Sequence, residues 1–543
     1  MKRKLLLVVF PFLLTGCTFG APSSSLKESS DTDTSSSLSS EDNSTSLTSS
    51  GSIDSSSITE IPDEFIDIPQ PSDAYIVNSE EYLSFWNPNT KLSFSFSMTK
   101  QNIQKMSDFG AQKDNPLNEL YLPANLSLTM NNQVYTFEEV GLRVKGNTSR
   151  HDFASEGTIS SPISFKISFN ETWQEEFYEP QGLKKIWTDE NALIERDDRT
   201  LFGMKKIDIK WNNTNDQSLI NQPYVYRLFR KYNEFSPHST LGTFAFDNGS
   251  SLVNMGIMTI NEPIDKTFMR RYLSKKSAAG DLYKSLYNTQ GMADLTPNNA
   301  FYESNGEYFI NTNGVGVEDT FNYYHPKYDL KTNEDESTHS ALLNLLVTLN
   351  TNQYASTDVM KDKLESVVDI DAFLRYAALS YLTGNEDDLR NNGNNYYLYF
   401  SPTNGQAYFI PYDYDWSLGV GYDGNGGQVM ATISPYHSKM QGSNRDWQHN
   451  PLYWYTIIDN QENDNSSKYP LIGEYQSQYA AYVKSFANSE YFSLDAFNKL
   501  YQAYYKNYSS FSSDVESHSI FNGVATFTNY HNSMMTTIDN YID

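Results

Sequence analysis

The chain of 543 residues holds one cysteine, Cys17. No internal disulfide can form, and the body carries no thiol for nucleophilic catalysis or for a thiolate metal site. Histidine is also scarce, eight in all with no H-E-x-x-H spacing, which excludes a zincin-type centre. No G-x-x-x-x-G-K-[ST] loop and no G-x-S-x-G elbow is present, which removes P-loop and α/β-hydrolase chemistry. Positive charge is outnumbered, 40 Lys and Arg against 67 Asp and Glu, for a net charge of −27. Such a surface repels nucleic acid, so no nucleic-acid partner is expected. After the first residues no run of eighteen apolar residues occurs, so the body is expected outside the bilayer.

The lone cysteine explains itself by position. Residues 2–4 are basic, residues 5–14 almost wholly apolar, and Leu14-Thr15-Gly16-Cys17 follows. This resembles a bacterial lipoprotein signal, in which the cysteine thiol is acylated and becomes the new N-terminus. The expectation is a signal peptide over 1–16, lipidation at Cys17, and a protein on the cell membrane, lipid-anchored and facing outside the cell. Residues 17–62 are rich in Ser and Thr and poor in large apolar groups, a composition that reads as a disordered tether.

The body shows two textures. In VGLRVKG, Val140, Leu142 and Val144 alternate with Arg143 and Lys145. In ISFKISF, Ile163, Phe165, Ile167 and Phe169 oppose Lys166, and in KKIDIKW, Ile207, Ile209 and Trp211 oppose Lys206 and Lys210. Period-two patterning predicts half-buried strands. If they pair, one face is apolar and the other carries five basic groups able to cradle phosphates. A helix is expected around 218–232, then strands near 240–246 and 256–260. The second strand runs into Asn261-Glu262-Pro263-Ile264-Asp265 and a polar helix, as a kinase hinge would. Another short strand begins at 281–284. Helices then dominate, near 341–349, 370–382, 473–486 and 494–508; Asp369 can cap the second and Gly384 can end it. The expected body is α+β, with a β-rich part over 63–265 and a mainly helical part over 266–543.

Between these helices lies GNEDDLRNNGNNYYLYFSPTNGQAYFIPYDYDWSLG, residues 384–419. Strands at 396–400 and 407–410 flank Pro402-Thr403-Asn404-Gly405, a strong hairpin signal. A hairpin returns the chain beside its start, so Asp387, Asn395 and Asp413 can converge, with Asp415 close by. An acid, an amide and a second acid in this order is how a protein-kinase phosphoryl-transfer site is laid out. The acid takes the acceptor's proton, and the amide and second acid hold magnesium. Other readings of the same residues are a calcium loop at 413–417, a pair of glycosidase carboxylates, or turn-forming Asp and Asn alone. The calcium pattern lacks Gly at its sixth position, where Leu418 stands.

With VGLRVKGNTSR (140–150), SFKISFN (164–170), MGIMTINEPIDKTF (255–268), GDLYK (280–284), YDLKTNE (328–334), VDIDAFLRYAALSYLTGNED (368–387) and NNYYLYFSPTNGQAYFIPYDYDWSLG (394–419), the chain resembles the spore-coat protein H (CotH) kinase family. The resemblance implies an atypical protein-kinase-like two-lobed fold and phosphorylation of protein Ser or Thr with ATP and Mg2+. It implies Asp387 as catalytic acid, Asn395 on the metal, and Asp413 and Asp415 as the two acids of the metal block. Glu262 falls at a hinge-like glutamate and Lys166 at a nucleotide-lobe lysine; the alternation of the strands, not the resemblance, adds Arg143, Lys145, Lys206 and Lys210 as phosphate-binding candidates. Tyr412 stands where the family usually has Trp, and Lys145 where it usually has Arg. The helix at 218–232 has no obvious glutamate to pair with a nucleotide-lobe lysine. The acceptor is expected to be a surface or secreted protein, the chain's own tether included; a non-catalytic binding module on the same scaffold is the alternative.

Overall fold

Alternation of apolar and polar residues over seven strands closes a barrel. The structure, a computed structural model, describes residues 67–543 except 113–115, 147–148, 288–290, 298–299, 319–323, 353–354, 422–425, 438–449, 459–471 and 517–519. The expected signal peptide, Cys17 and the tether lie outside the described residues. The barrel strands are β1 Leu92–Ser97, β2 Leu122–Met130, β3 Gln133–Val144, β4 Phe165–Ser168, β5 Lys206–Lys210, β6 Ser239–Asp247 and β7 Leu252–Asn261. Their order is β1-β2-β3-β4-β5-β7-β6, and β6 closes on β1. That closing pair is parallel, with Ser93 opposite Thr243, while every other neighbour is antiparallel. Every barrel strand has a neighbour on both sides, though β3 meets β4 only over Gly141–Val144 and β7 meets β5 only over Thr259–Asn261.

Aromatic rings fill the interior. Phe94 stacks on Phe244 and Phe96 on Phe246, with centroids 4.8 and 4.9 Å apart. Phe165, fully buried, meets Phe96, Phe244 and Phe246 edge-on at 5.6–5.9 Å. The three strands expected from alternation are present. Their register sets Arg143 opposite Lys166 and Lys166 opposite Asp208, so the non-core positions do share a face. The sequence reading did not include β1, although Leu-Ser-Phe-Ser-Phe-Ser alternates strictly.

A five-stranded sheet follows: β8 Asp281–Ser285, β9 Val315–Gly316, β10 Tyr328–Leu330, β11 Tyr396–Phe400 and β12 Ala407–Pro411, in the order β9-β10-β8-β11-β12. The strands β11 and β12 are the expected hairpin, with Tyr396 opposite Pro411. At the start of β8 a Cβ on Gly280 would fall 2.0 Å from the Phe400 carbonyl oxygen, so only glycine lets β8 lie against β11. The helix Ile370–Thr383 packs near this hairpin and is buried on almost all sides, which fits its continuous apolar run. Asp369 caps it by accepting from the Ala372 N–H at 3.1 Å, and Gly384 ends it at φ 59°. Gly473–Ala487, Leu494–Tyr508 and Ala525–Tyr541 add amphipathic helices to the same apolar core. The fold is mixed α+β, as expected.

Phe165→Ala would empty the centre of the aromatic cluster. It is expected to cost about 3–5 kcal/mol, read as a lower denaturant midpoint with an unchanged slope in urea unfolding.

Candidate active site

The end of the helix Ile370–Thr383 decides where the first acid points. After Gly384 the chain turns, and the buried Asp388 caps the short helix Leu389–Asn392. Its carboxylate accepts from the Asn391 N–H at 2.9 Å, the Asn391 side-chain amide at 3.1 Å and the Ser380 hydroxyl. With Asp388 turned inward, its neighbour Asp387 is left half-buried. Three amides hold the Asp387 carboxylate: those of Asn392, Asn394 at 3.4 Å and Asn395 at 2.8 Å. Asn392 was not among the residues expected from sequence.

The hairpin then brings its far end back. The Tyr412 N–H donates to the Asn395 carbonyl at 3.1 Å. Both Asn395 and Asp413 take left-handed backbone angles, φ 52° and 59°, a conformation that costs free energy in a non-glycine residue and persists when neighbours fix it. Those neighbours are visible. The Asp413 N–H donates to the Tyr226 hydroxyl at 2.9 Å, and the Asn221 amide donates to the Ser417 carbonyl at 2.9 Å. Both Tyr226 and Asn221 belong to the helix Asn221–Lys231. The Glu386 N–H donates to the Trp416 carbonyl at 3.2 Å, which ties the two loops together.

Lys210, at the end of β5, bridges the second pair of acids. Its ammonium pairs with Asp413 and lies 2.9 Å from Asp415. Burial opposes the lysine charge, but the two carboxylates outweigh it and hold Lys210 above the usual lysine range. Burial likewise works against the Asp413 charge; Lys210 and Lys145 outweigh it, and this carboxyl stays below its ordinary value. Asp415 goes the other way: burial, with the Asp413 charge adding to it, raises it to about 6 against the pull of Lys210. Among the described residues no three His, Cys, Asp or Glu side chains gather as a metal cluster. Asp413 and Asp415 share Lys210, and the Asn395 amide bonds Asp387. Because the Asn395 nitrogen faces Asp387, its amide oxygen is directed away from that carboxylate. Two carboxylates and an amide oxygen fit a hard cation such as magnesium, and a cation, the Lys210 ammonium, already lies between the carboxylates.

The basic face is less bare than the sequence suggested. Lys145 and Lys166 share Asp208, at 2.6 and 3.3 Å. Burial raises Asp208, yet the two lysines overcome that and keep it well below the usual carboxylate range. Arg143 pairs with Glu119, and Lys206 stands 5.7 Å over the Tyr121 ring. The pattern K-I-D-I-K already puts Asp208 on the same face as Lys206 and Lys210, so this partner was readable. Tyr412 carries Lys145 at 5.4 Å and Lys284 at 5.0 Å over its ring and meets Tyr397 edge-on at 5.3 Å. Glu262 belongs to another network. It is 4% exposed, accepts from the Tyr82 hydroxyl at 2.6 Å and the His238 N–H at 3.3 Å, and lies 3.6 Å from Arg271.

A family model described as CotH kinase protein matches residues 143–542, well over half the chain. The match runs from the end of β3 through the last helix and includes Asp387, Asn395, Asp413 and Asp415. No curated protein matches the chain.

Asp388 makes a stability test independent of chemistry. Burial holds its carboxyl at about 6, against hydrogen bonds from Ser380 and Asn391 that favour the charge. An unfolded aspartate titrates near 4, so between about pH 4 and 6 the folded state binds more protons. Stability from this group is therefore present at low pH and lost as pH rises through about 6. The isosteric Asp388→Asn removes that loss. Its unfolding free energy relative to wild type should rise by on the order of 2–3 kcal/mol between pH 4 and 7, measured by urea titration at each pH.

Proposed function

We infer the reaction from one premise: the chain belongs to the CotH kinase protein family. That membership carries a kinase-like transferase function, with a nucleotide and a metal as its general requirements. We propose that the chain moves the terminal phosphoryl group of ATP onto Ser or Thr hydroxyls of surface or secreted proteins. The supporting observation is the meeting of Asp387, Asn395, Asp413 and Asp415 at the base of one hairpin, with lysines around them.

In this reading the barrel side, 63–265, is the nucleotide lobe of a two-lobed kinase-like fold, and 266–543 is the catalytic lobe. Asn395, Asp413 and Asp415 hold magnesium, which when bound draws charge from the nucleotide's phosphates. Asp387 orients the acceptor hydroxyl and takes its proton as the oxygen attacks phosphorus and ADP leaves. The three amides on Asp387 fix that carboxylate in one orientation, and fixed orientation is most of what a phosphoryl-transfer site supplies. Lys145, Lys166, Lys206, Lys210 and Arg143 surround the phosphates, and Tyr412 offers a ring at their edge. The sequence of the first seventeen residues supports a lipid anchor at Cys17 on the outer side of the cell membrane. The serines of the tether are then acceptors within reach.

Purified body with Mg-ATP is expected to melt several degrees higher than with either alone, and Asp413→Ala to abolish most of that gain. Asp387→Ala should retain the gain yet lose labelled-phosphate transfer by about 10²-fold or more. Transfer that survives Asp387→Ala refutes the assignment, and a wild-type protein inert toward ATP refutes the reaction. For the anchor, Cys17→Ser should abolish incorporation of labelled fatty acid; undiminished incorporation removes it.

A further inference from the structure

The cations of this site differ in what balances them. Lys145 and Lys166 face Asp208, Lys210 spans Asp413 and Asp415, and Lys331 pairs with Asp329 and lies 3.7 Å from Glu318. Lys284, on β8, has no carboxylate within salt-bridge distance among the described residues. What it touches is the Tyr412 ring, which Lys145 also covers. Tyr412 directly precedes Asp413, and the charge of Lys284 is felt at that acid. A half-buried ammonium among like charges, without an acid of its own, is a poor arrangement for folding. Such an arrangement is explained when an anion completes it.

We propose that Lys284 binds the nucleotide's phosphates, so that the five-stranded sheet, and not only the barrel, contributes a phosphate ligand. This rests on the nucleotide reading of the site and adds a residue to it. The neighbouring charges agree. Burial comes first, then Lys145 and Lys331, and together they depress the Lys284 ammonium to about 8, against a lesser pull from Glu318. A polyphosphate placed between Lys284 and Lys145 would reverse that repulsion and gain charge-assisted hydrogen bonds. The position also suits the acids: phosphates gripped over Tyr412 lie beside Asp413.

The test separates binding from folding. Calorimetric titration with Mg-ATP, pyrophosphate and adenosine is run on wild type, Lys284→Met and Lys284→Arg. Lys284→Met is expected to weaken Mg-ATP and pyrophosphate by about tenfold to a hundredfold and to leave adenosine unchanged, while Lys284→Arg retains most of the affinity. Its melting temperature without ligand should equal or exceed that of wild type, because like-charge repulsion is removed. A melting temperature several degrees lower marks a structural lysine and overturns the inference. So does Mg-ATP affinity equal to wild type, a result that leaves the kinase reading standing if phosphate transfer is intact. Pyrophosphate binding that needs Lys284 in a protein that transfers no phosphate sustains the anion site and sinks the kinase reading. No binding of ATP or pyrophosphate by wild type sinks both.

Discussion

Lys210 leaves the end of β5 and meets Asp413 and Asp415 beyond the end of β12, and this contact conditions the rest of the site. Two carboxylates two residues apart, both partly withdrawn from water, repel each other; without a cation between them one would bind a proton. The ammonium holds Asp413 below its ordinary value, while burial and the Asp413 charge still raise Asp415 to about 6. It also ties the barrel to the loop that follows the hairpin, so the geometry of the acids depends on where β5 sits in the barrel.

The strained backbone at Asn395 and Asp413 belongs to the same logic. Asn and Asp tolerate the left-handed conformation better than most residues, and contacts fix it here. Each is held by partners from elsewhere: the Tyr412 N–H on the Asn395 carbonyl, and the Tyr226 hydroxyl accepting from the Asp413 N–H. The helix Asn221–Lys231 has no glutamate with which to pair a barrel lysine. It acts on the acid loop instead, through a tyrosine hydroxyl and an asparagine amide.

What could be read in the sequence follows from range. The hairpin, the helix Ile370–Thr383 with its Asp369 and Gly384 ends, and the alternating strands β3 to β5 are written in local periodicity and turn chemistry. The convergence of Asp387, Asn395 and Asp413 follows from the hairpin alone, so it too was legible. The barrel was not. Its closure depends on β1 pairing in parallel with β6, and Ser93 lies 150 positions from Thr243; no local pattern specifies such a pair. Asp208 was legible and overlooked, since its alternation is as strict as that of the lysines beside it. Lys284 was not, because its significance comes from what is absent around it: its strand has five residues, and only the assembled sheet brings Lys331 and Tyr412 near.

The helix Asn221–Lys231 also links the site to the point where the described chain begins. One of its ends holds the acid loop through Asn221 and Tyr226. Near the other, Arg230, its side chain fully buried, pairs with Asp67, and the buried His238 lies 3.2 Å from the same carboxylate. The surrounding arginines and burial keep that histidine neutral. Arg230 also donates to the Ser236 carbonyl and, at 3.2 Å, to the Tyr272 hydroxyl, so several partners fix it. Asp67 is thereby fixed to the same helix that positions Asp413.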